Sequence, residues 1–199
     1  MQKKIWITGA SSGIGKSLAI KFAKNGWEVA ISARRAEKLN EICEHNPNIY
    51  SYPLDVLNLD QCNKTFQAIL KKHDYVDICI FCVGIRDRDS EKNLDIKKIN
   101  HIFNTNFFGN INTLNSVYDY FKSKKKGHIS LIASLAGYRG LPDSGAYSAS
   151  KAALITFIES LYFDLSKHNV HLSIINPGFV KTDMTETNEY KMPFIKSTD

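Results

Sequence analysis

The sequence predicts an α/β protein: a doubly wound parallel sheet with helices on both faces, three layers in all. Short runs rich in β-branched and aromatic residues alternate along the whole chain with longer stretches of helical period. The run "VDICIFCV" (76–83) is apolar without a break, the pattern of a strand covered on both faces. The first strand leads straight into "ITGASSGIGKS" (7–17), a glycine-rich turn that opens a helix. Strict alternation implies parallel strands joined by right-handed crossovers, and the ligand crevice of such a Rossmann-like sheet lies at the carboxyl ends of its strands.

Each element has its own signal. "KKIWIT" (3–8) is the first strand, and Ile14, Leu18 and Phe22 form one apolar stripe on the helix after it. Asn25-Gly26 ends that helix, and "WEVAIS" (27–32) follows as a strand. A helix over about 35–45 stops at "HNPN", because the residue before Pro47 is pushed out of the helical region. "IYSYPL" (49–54) is the third strand, and a helix over about 58–72 has Asn58 or Asp60 available as its cap. After the fourth strand (76–83), a long helix over about 97–122 carries Ile99, Ile102, Phe103, Phe107, Ile111, Leu114, Tyr118 and Phe121. "HISLIAS" (128–134) is the fifth strand, 146–168 a helix apolar around much of its circumference, and "VHLSIIN" (170–176) the sixth strand.

The chain has 199 residues, 43% of them apolar and 23% charged, which fits one soluble globular domain spanning 1–199. No apolar run reaches membrane-spanning length, and the strand pattern begins too early to leave room for a signal peptide, so a cytoplasmic protein is expected. The net charge of +6 is modest, and its densest basic run, Lys122 to Lys126, precedes Gly127 with no aromatic residue interleaved. That run suits a solvated helix end closed by the glycine, and no nucleic-acid partner is expected. Cys79 and Cys82 lie three apart on a strand and point to opposite faces, so they are expected as reduced thiols. The histidines show no zinc spacing, and no metal site is expected; His168 and His171 straddle a helix end and the next strand.

The opening loop has two readings. Ala10-x4-Gly15-Lys16-Ser17 fits a loose triphosphate loop, and Thr8-Gly9-x3-Gly13-x-Gly15 a dinucleotide loop. A triphosphate site needs an acidic residue at the end of another core strand to hold magnesium. The fourth and fifth strands end in Val83-Gly84 and Ser134, and the third in Asp55 after an unpromising Tyr-Ser-Tyr-Pro. Position 10 is also alanine where that loop wants glycine, so the dinucleotide reading wins. After the second strand stands Ser32-Ala33-Arg34-Arg35, without the carboxylate that a free ribose 2′-hydroxyl calls for. Arginine suits a 2′-phosphate, so NADP(H) is expected over NAD(H), with Arg34 the main determinant and Arg35 secondary. The plainer alternative is two solvated arginines opening a helix.

Tyr147 and Lys151, in "GAYSASKAAL", lie four apart on one helix face. A phenol titrating near 10 is a poor proton shuttle at neutral pH, and a neighbouring ammonium lowers that value by favouring the phenolate. Such a pair is common by chance. It gains weight from Ser134, at the crevice end of the fifth strand, and from Asn106, an asparagine in the middle of a helix where its propensity is poor.

The chain resembles the short-chain dehydrogenase/reductase family over nearly its whole length. The resemblance rests on Thr8-Gly9-x3-Gly13-Ile14-Gly15, Asp55-Val56, Asn106, Ser134, Tyr147-x3-Lys151 and Asn176-Pro177-Gly178-Phe179-Val180-x-Thr182. It implies an NADP-dependent oxidoreductase interconverting a carbonyl and an alcohol, a small-molecule substrate, and a homodimer or homotetramer. Tyr147 would exchange the proton and Ser134 bind the substrate oxygen; Lys151 would bind the nicotinamide ribose and lower the tyrosine pKa, and Asn106 would hold a water linking Lys151 to solvent. The opening loop, with Gly9, Ser11, Ser12, Gly13, Ile14 and Gly15, would hold the pyrophosphate, Lys16 being incidental. Asp55 and Val56 would meet the adenine, Cys82 and Gly84 would flank the cofactor, and Pro177, Gly178, Val180 and Thr182 would meet its nicotinamide end.

Two departures stand out. Cys82-Val83-Gly84 replaces the family's usual Asn-Ala-Gly, and the family fold commonly continues past the point where this chain stops at Asp199. The competing class is a non-catalytic NADP-binding regulator or scaffold on the same fold. The substrate pocket is expected from residues 85–90, 136–143 and 181–199, with Leu141, Met184, Tyr190, Met192 and Phe194 hinting at an apolar ligand. Self-association is expected through the helices at 97–122 and 146–168, whose apolar surface exceeds what one sheet face covers.

Overall fold

The computed structural model describes residues 2–87, 94–186 and 192–198. Within them the chain runs β1 (Lys4–Thr8), α1 (Gly13–Lys24), β2 (Glu28–Ser32), α2 (Ala36–Glu44), β3 (Ile49–Ser51), α3 (Leu59–His73) and β4 (Ile78–Phe81). It continues through α4 (Ile96–Phe103), a π-helical turn (Asn104–Phe108), α5 (Gly109–Lys124), β5 (Gly127–Ile132), α6 (Gly145–Ser166), β6 (Val170–Ile175) and α7, a single turn (Asp183–Glu186). All strands pair in parallel in the order β3-β2-β1-β4-β5-β6. The winding reverses between β1 and β4, which opens a crevice beyond their carboxyl ends.

Alternation along β1 divides the core in two. Ile5 and Ile7 face α1 and α2, against Leu18, Phe22, Leu39 and Ile42. Trp6 faces the other way, toward Phe66 of α3 and the layer that holds Leu114, Val117 and Phe121 of α5 and Leu154 and Ile158 of α6. The Trp6 ring is fully buried, stacks on Phe66 at 5.6 Å and donates its indole N–H to Ser32 Oγ at 2.9 Å. Cys79 lies in this second layer and Cys82 packs against the first, so the two thiols do part to opposite faces.

The differences from expectation are local. β3 is shorter than 49–54, although Tyr52 and Leu54 still donate to Ile31 and Ala33 of the neighbouring chain segment; Pro53, between them, turns its nitrogen to the open edge of the sheet, where no N–H is needed. β4 stops at Phe81, short of Val83. Asn58, not Asp60, caps α3, its side chain accepting from the Gln61 N–H at 2.9 Å. The lysine run does end a helix, but the left-handed residue is Lys125 (φ 50°) rather than Gly127. Gly127 (φ 133°) starts β5, where a Cβ would lie 2.3 Å from the Phe121 ring. The long helix is continuous but not uniformly α: the Gly109 N–H bonds the Asn104 carbonyl five residues back. A Cβ on Gly109 would sit 2.6 Å from Val56 Cγ2, so only glycine lets this turn press against the loop after β3. Among the described residues, no helix is long and apolar enough to cross a membrane.

Candidate functional site

The loop after β1 is glycine-rich because its backbone is crowded. A Cβ on Gly9 (φ 69°) would fall 2.8 Å from the Cys82 carbonyl, and one on Gly15 2.5 Å from the Gly9 oxygen. Gly13 (φ 54°) opens α1, and Ser12 makes no side-chain cap bond, so the first-turn amides face the crevice without an internal anion. A cleft of about 170 Å³ lies over this turn, walled by Gly9, Ser12, Gly13, Ile14, Gly15, Cys82, Gly84, Ser134, Tyr147, Lys151, Pro177, Gly178, Val180 and Thr182. It adjoins a second of about 610 Å³ walled by Ser11, Arg34, Arg35, Asp55 and Val56, with Gly9, Ser12, Cys82 and Gly84 shared. An elongated ligand with a central anionic group fits this pair of clefts. Every cofactor-contact residue expected from the sequence stands on one of the two walls.

The arginines differ. Arg35 Nη2 donates to Ser11 Oγ at 2.8 Å and Ser12 Oγ at 3.2 Å, which places its guanidinium over the loop. Arg34 is exposed on the same wall. Lys16 lines neither cleft but an adjoining hollow with Lys38, Glu41 and Lys181, which shares Ser12 and Gly13 with the first cleft.

A third, largely apolar cavity of about 390 Å³ opens beside the first and shares Ser134, Tyr147, Pro177 and Gly178 with it. Leu135, Ala136, Leu141, Phe179, Met184, Pro193 and Phe194 supply its apolar wall, and Arg86 its charge. The wall near Phe194 is built by a short pairing: Lys196 donates to Phe179 and accepts from Lys181. Of the pocket residues expected from sequence, Leu141, Met184 and Phe194 line this cavity, Met192 does not, and Tyr190 and residues 88–90 lie outside the described residues.

Lys151 is 3% exposed and donates to the Ile132 carbonyl at 2.9 Å, with Nζ 5.8 Å from the centre of the Tyr147 ring. Burial pulls its pKa down to about 8, with Cys82 pulling slightly the other way. Burial likewise pushes the Cys82 thiol up to about 12. The Tyr147 phenol is raised by burial, against the pull of a hydrogen bond with Ser134 and the charge of Arg86. In the protein alone burial therefore outweighs the lowering expected for this phenol, and Ser134 and Arg86 supply the opposing pull.

Asn106 is fully buried in the π turn and lines none of these cavities. Its side-chain oxygen accepts from the Ile85 N–H at 2.7 Å, and its nitrogen donates to the Ile85 carbonyl at 2.9 Å and to Ser150 Oγ at 3.1 Å. The side chain clasps the loop after β4, and its Oδ1 and Lys151 Nζ both lie within 4 Å of where a Cβ on Gly84 would stand. Asn110, one turn on, donates to the carbonyls of Val83 at 2.9 Å and Asn106 at 2.7 Å. Sequence reasoning missed Asn110 and Ser150, and it placed Arg86 only within the pocket-lining stretch 85–90, without a role. A second asparagine four residues after Asn106 was the available signal for the first; Ser150 had none.

Three comparisons bear on this arrangement. Residues 3–192 match the family model described as short chain dehydrogenase. The chain is 36% identical over 196 residues to an uncharacterized oxidoreductase of Myxococcus xanthus, covering 96% of this chain and 78% of that protein. It is 31% identical to 11-beta-hydroxysteroid dehydrogenase 1A of Arabidopsis thaliana, covering 92% of this chain but 54% of the relative, little more than half its length. The solved structure of ElxO with NADP bound superposes with a TM-score of 0.87 at 29% identity, over 92% of this chain and 76% of that one.

Proposed function

Because the chain belongs to the short-chain dehydrogenase/reductase family, we propose that it is an NADP(H)-dependent oxidoreductase interconverting a carbonyl and an alcohol, with Tyr147 giving and taking the proton. The observation that carries this reading is the shared wall. Ser134 and Tyr147 stand where the dinucleotide-shaped clefts meet the apolar cavity, within reach of both. The NADP-bound state of the ElxO structure supports the choice of nucleotide.

Gly9, Ser12, Gly13 and Gly15 would cradle the pyrophosphate, Arg34 and Arg35 the 2′-phosphate, Asp55 and Val56 the adenine, and Val180 and Thr182 the nicotinamide amide. NADP(H), when bound, supplies or accepts the hydride. Ser134 holds the substrate oxygen by a preorganised hydrogen bond as negative charge develops on it. In reduction Tyr147 gives that oxygen its hydroxyl proton, and in oxidation it removes the proton from the alcohol. Lys151 would hold the nicotinamide ribose from the wall it shares with Tyr147. Asn106 and Asn110 hold the Val83–Ile85 backbone that forms the floor between them. The walls of Leu135, Leu141, Phe179 and Met184 exclude water from the reacting carbon and select an apolar substrate.

The test is NADPH oxidation by the wild type and by Tyr147→Phe against a panel of ketones, aldehydes and 3-oxoacyl thioesters, with NADPH titrations alongside. Wild-type turnover should be abolished by the substitution with nucleotide affinity largely kept. Turnover within a few-fold of wild type in Tyr147→Phe sinks the assignment. Tight NADPH binding with no turnover of any carbonyl would favour a regulator or scaffold on the same fold.

A further inference from the structure

Arg86 is the one cationic side chain on the apolar cavity's wall among the described residues, and two sets of contacts fix where it stands. Both backbone hydrogen-bonding groups of the preceding residue, Ile85, are taken by the buried Asn106 amide. That same amide donates to Ser150 Oγ, whose hydroxyl donates to the Tyr147 carbonyl at 2.7 Å. The loop carrying Arg86 is thereby tied to the turn of α6 that carries Tyr147. From the other side, Arg86 Nε donates at 3.1 Å to Ser144 Oγ, on the fully buried residue that precedes α6. The carbonyl of Ser144 in turn accepts the Ser148 N–H. The guanidinium is referenced twice to the helix that positions the phenol.

We propose that Arg86 is a positioning residue for the reaction: its guanidinium, anchored on α6 through Ser144, is a standing cation that favours the phenolate of Tyr147 and sets the pH at which that residue exchanges its proton. This rests on Tyr147 being the proton-transfer group. The other polar and ionisable side chains on the walls that Tyr147 shares are Ser12 before α1, Ser134 just past β5, Lys151 on α6, Cys82 after β4, Thr182 before α7, and Asp183 and Thr185 of α7. Cys82 stays a neutral thiol through the working range. Lys151 loses its own proton near pH 8, so above that its charge fades as the phenol begins to titrate. An arginine keeps its charge at every pH of interest. Arg86 is thus the cation that persists on this wall, and its pull on the phenol opposes the effect of burial.

The experiment uses the full chain saturated with NADP⁺ and follows tyrosinate absorbance against pH in the wild type, Arg86→Met and Arg86→Lys. The chain has nine tyrosines, so each curve is taken as the difference from the same protein with Tyr147→Phe added. Arg86→Met should raise the midpoint of Tyr147 by about half to one pH unit, the size expected for loss of one partly screened charge on the wall of the same cavity. Arg86→Lys should restore it to within about 0.3 of wild type, because it returns the charge. In alcohol oxidation the acidic limb of the rate profile should move with the midpoint. An unchanged midpoint in Arg86→Met overturns the proposal. So does an equal displacement in Arg86→Lys, which would mark Arg86 as needed for packing and not for charge. Turnover surviving Tyr147→Phe would instead overturn the proton-transfer assignment, and the absorbance titration would still read the effect of Arg86 on the phenol.

Discussion

Lys151→Met is expected to stabilise the protein while removing its activity. Lys151 is 3% exposed, donates a hydrogen bond to the Ile132 carbonyl, and has tight quarters around Nζ: a Cβ on Gly84 would come within 3.3 Å. Burial lowers its pKa from 10.5 to about 8. At 1.36 kcal/mol per pH unit, that corresponds to about 3 kcal/mol of disfavour for the ammonium in the folded state. Below pH 8 the lysine is protonated whether the chain is folded or not, so the native state carries the whole penalty. Between about 8 and 10.5 the unfolded chain binds more protons than the folded one, and raising the pH favours folding until the penalty is gone. Methionine fills nearly the same volume without charge but strands the Ile132 carbonyl, which costs about 1–3 kcal/mol. The net gain at pH 7 is therefore about 0–2 kcal/mol, or a melting temperature higher by up to about 8 °C for a domain of this size. Urea or calorimetric unfolding of both proteins without nucleotide, at pH 7 and at pH 10, reads the difference directly. The gap should shrink, or change sign, at the higher pH. A variant less stable than wild type at pH 7, or a gap indifferent to pH, would show that the ammonium is better solvated in the fold than its burial implies.

Arg34→Ala should lower NADPH affinity by about one to two decades and leave NADH affinity nearly unchanged, since a charge-assisted hydrogen bond contributes about 1.5–3 kcal/mol. Arg35→Ala should cost less, because part of its role is to bond Ser11 and Ser12; paired NADPH and NADH titrations decide, and equal losses for both nucleotides would make the arginines structural. The exposed Phe108, Phe157, Tyr162 and Phe163 on the π turn and α6 should be covered by a second copy, so light scattering at micromolar concentration should report a dimer or tetramer. Phe108→Asp combined with Phe157→Asp should dissociate it, and a monomeric wild type refutes this surface as the interface.

What could be seen in advance follows from which forces are local. The strands and helices were legible because period-two and period-3.6 patterns record burial directly, and parallel alternation leaves few topologies. Ser134 and the glycines of the first loop were legible for a related reason, since the crevice lies at the strand ends and each stands just beyond one; Tyr147 and Lys151 were legible from their four-residue spacing on α6. One boundary slipped where a single side chain decided the matter. The Phe121 ring leaves room only for glycine at position 127, which starts β5 and does not close the helix before it.

Asn106 is the instructive case. Its presence mid-helix marked it as unusual on propensity alone, and that signal was sound. Its partners were not legible, because they depend on a π turn that no local pattern announces. The wider turn brings Asn106 and Asn110 to the same stretch of backbone after β4, where one bonds Ile85 and the other Val83. Those bonds fix the loop on which both Gly84 and Arg86 ride, so a helix irregularity controls how closely Lys151 is crowded and where the nearby guanidinium stands. The asparagines thus couple the nucleotide side of the site to its substrate side through one short segment of main chain. Cys82 adjoins that segment as a neutral thiol, so the loop takes its polar bracing from the helix behind it, through Asn106 and Asn110.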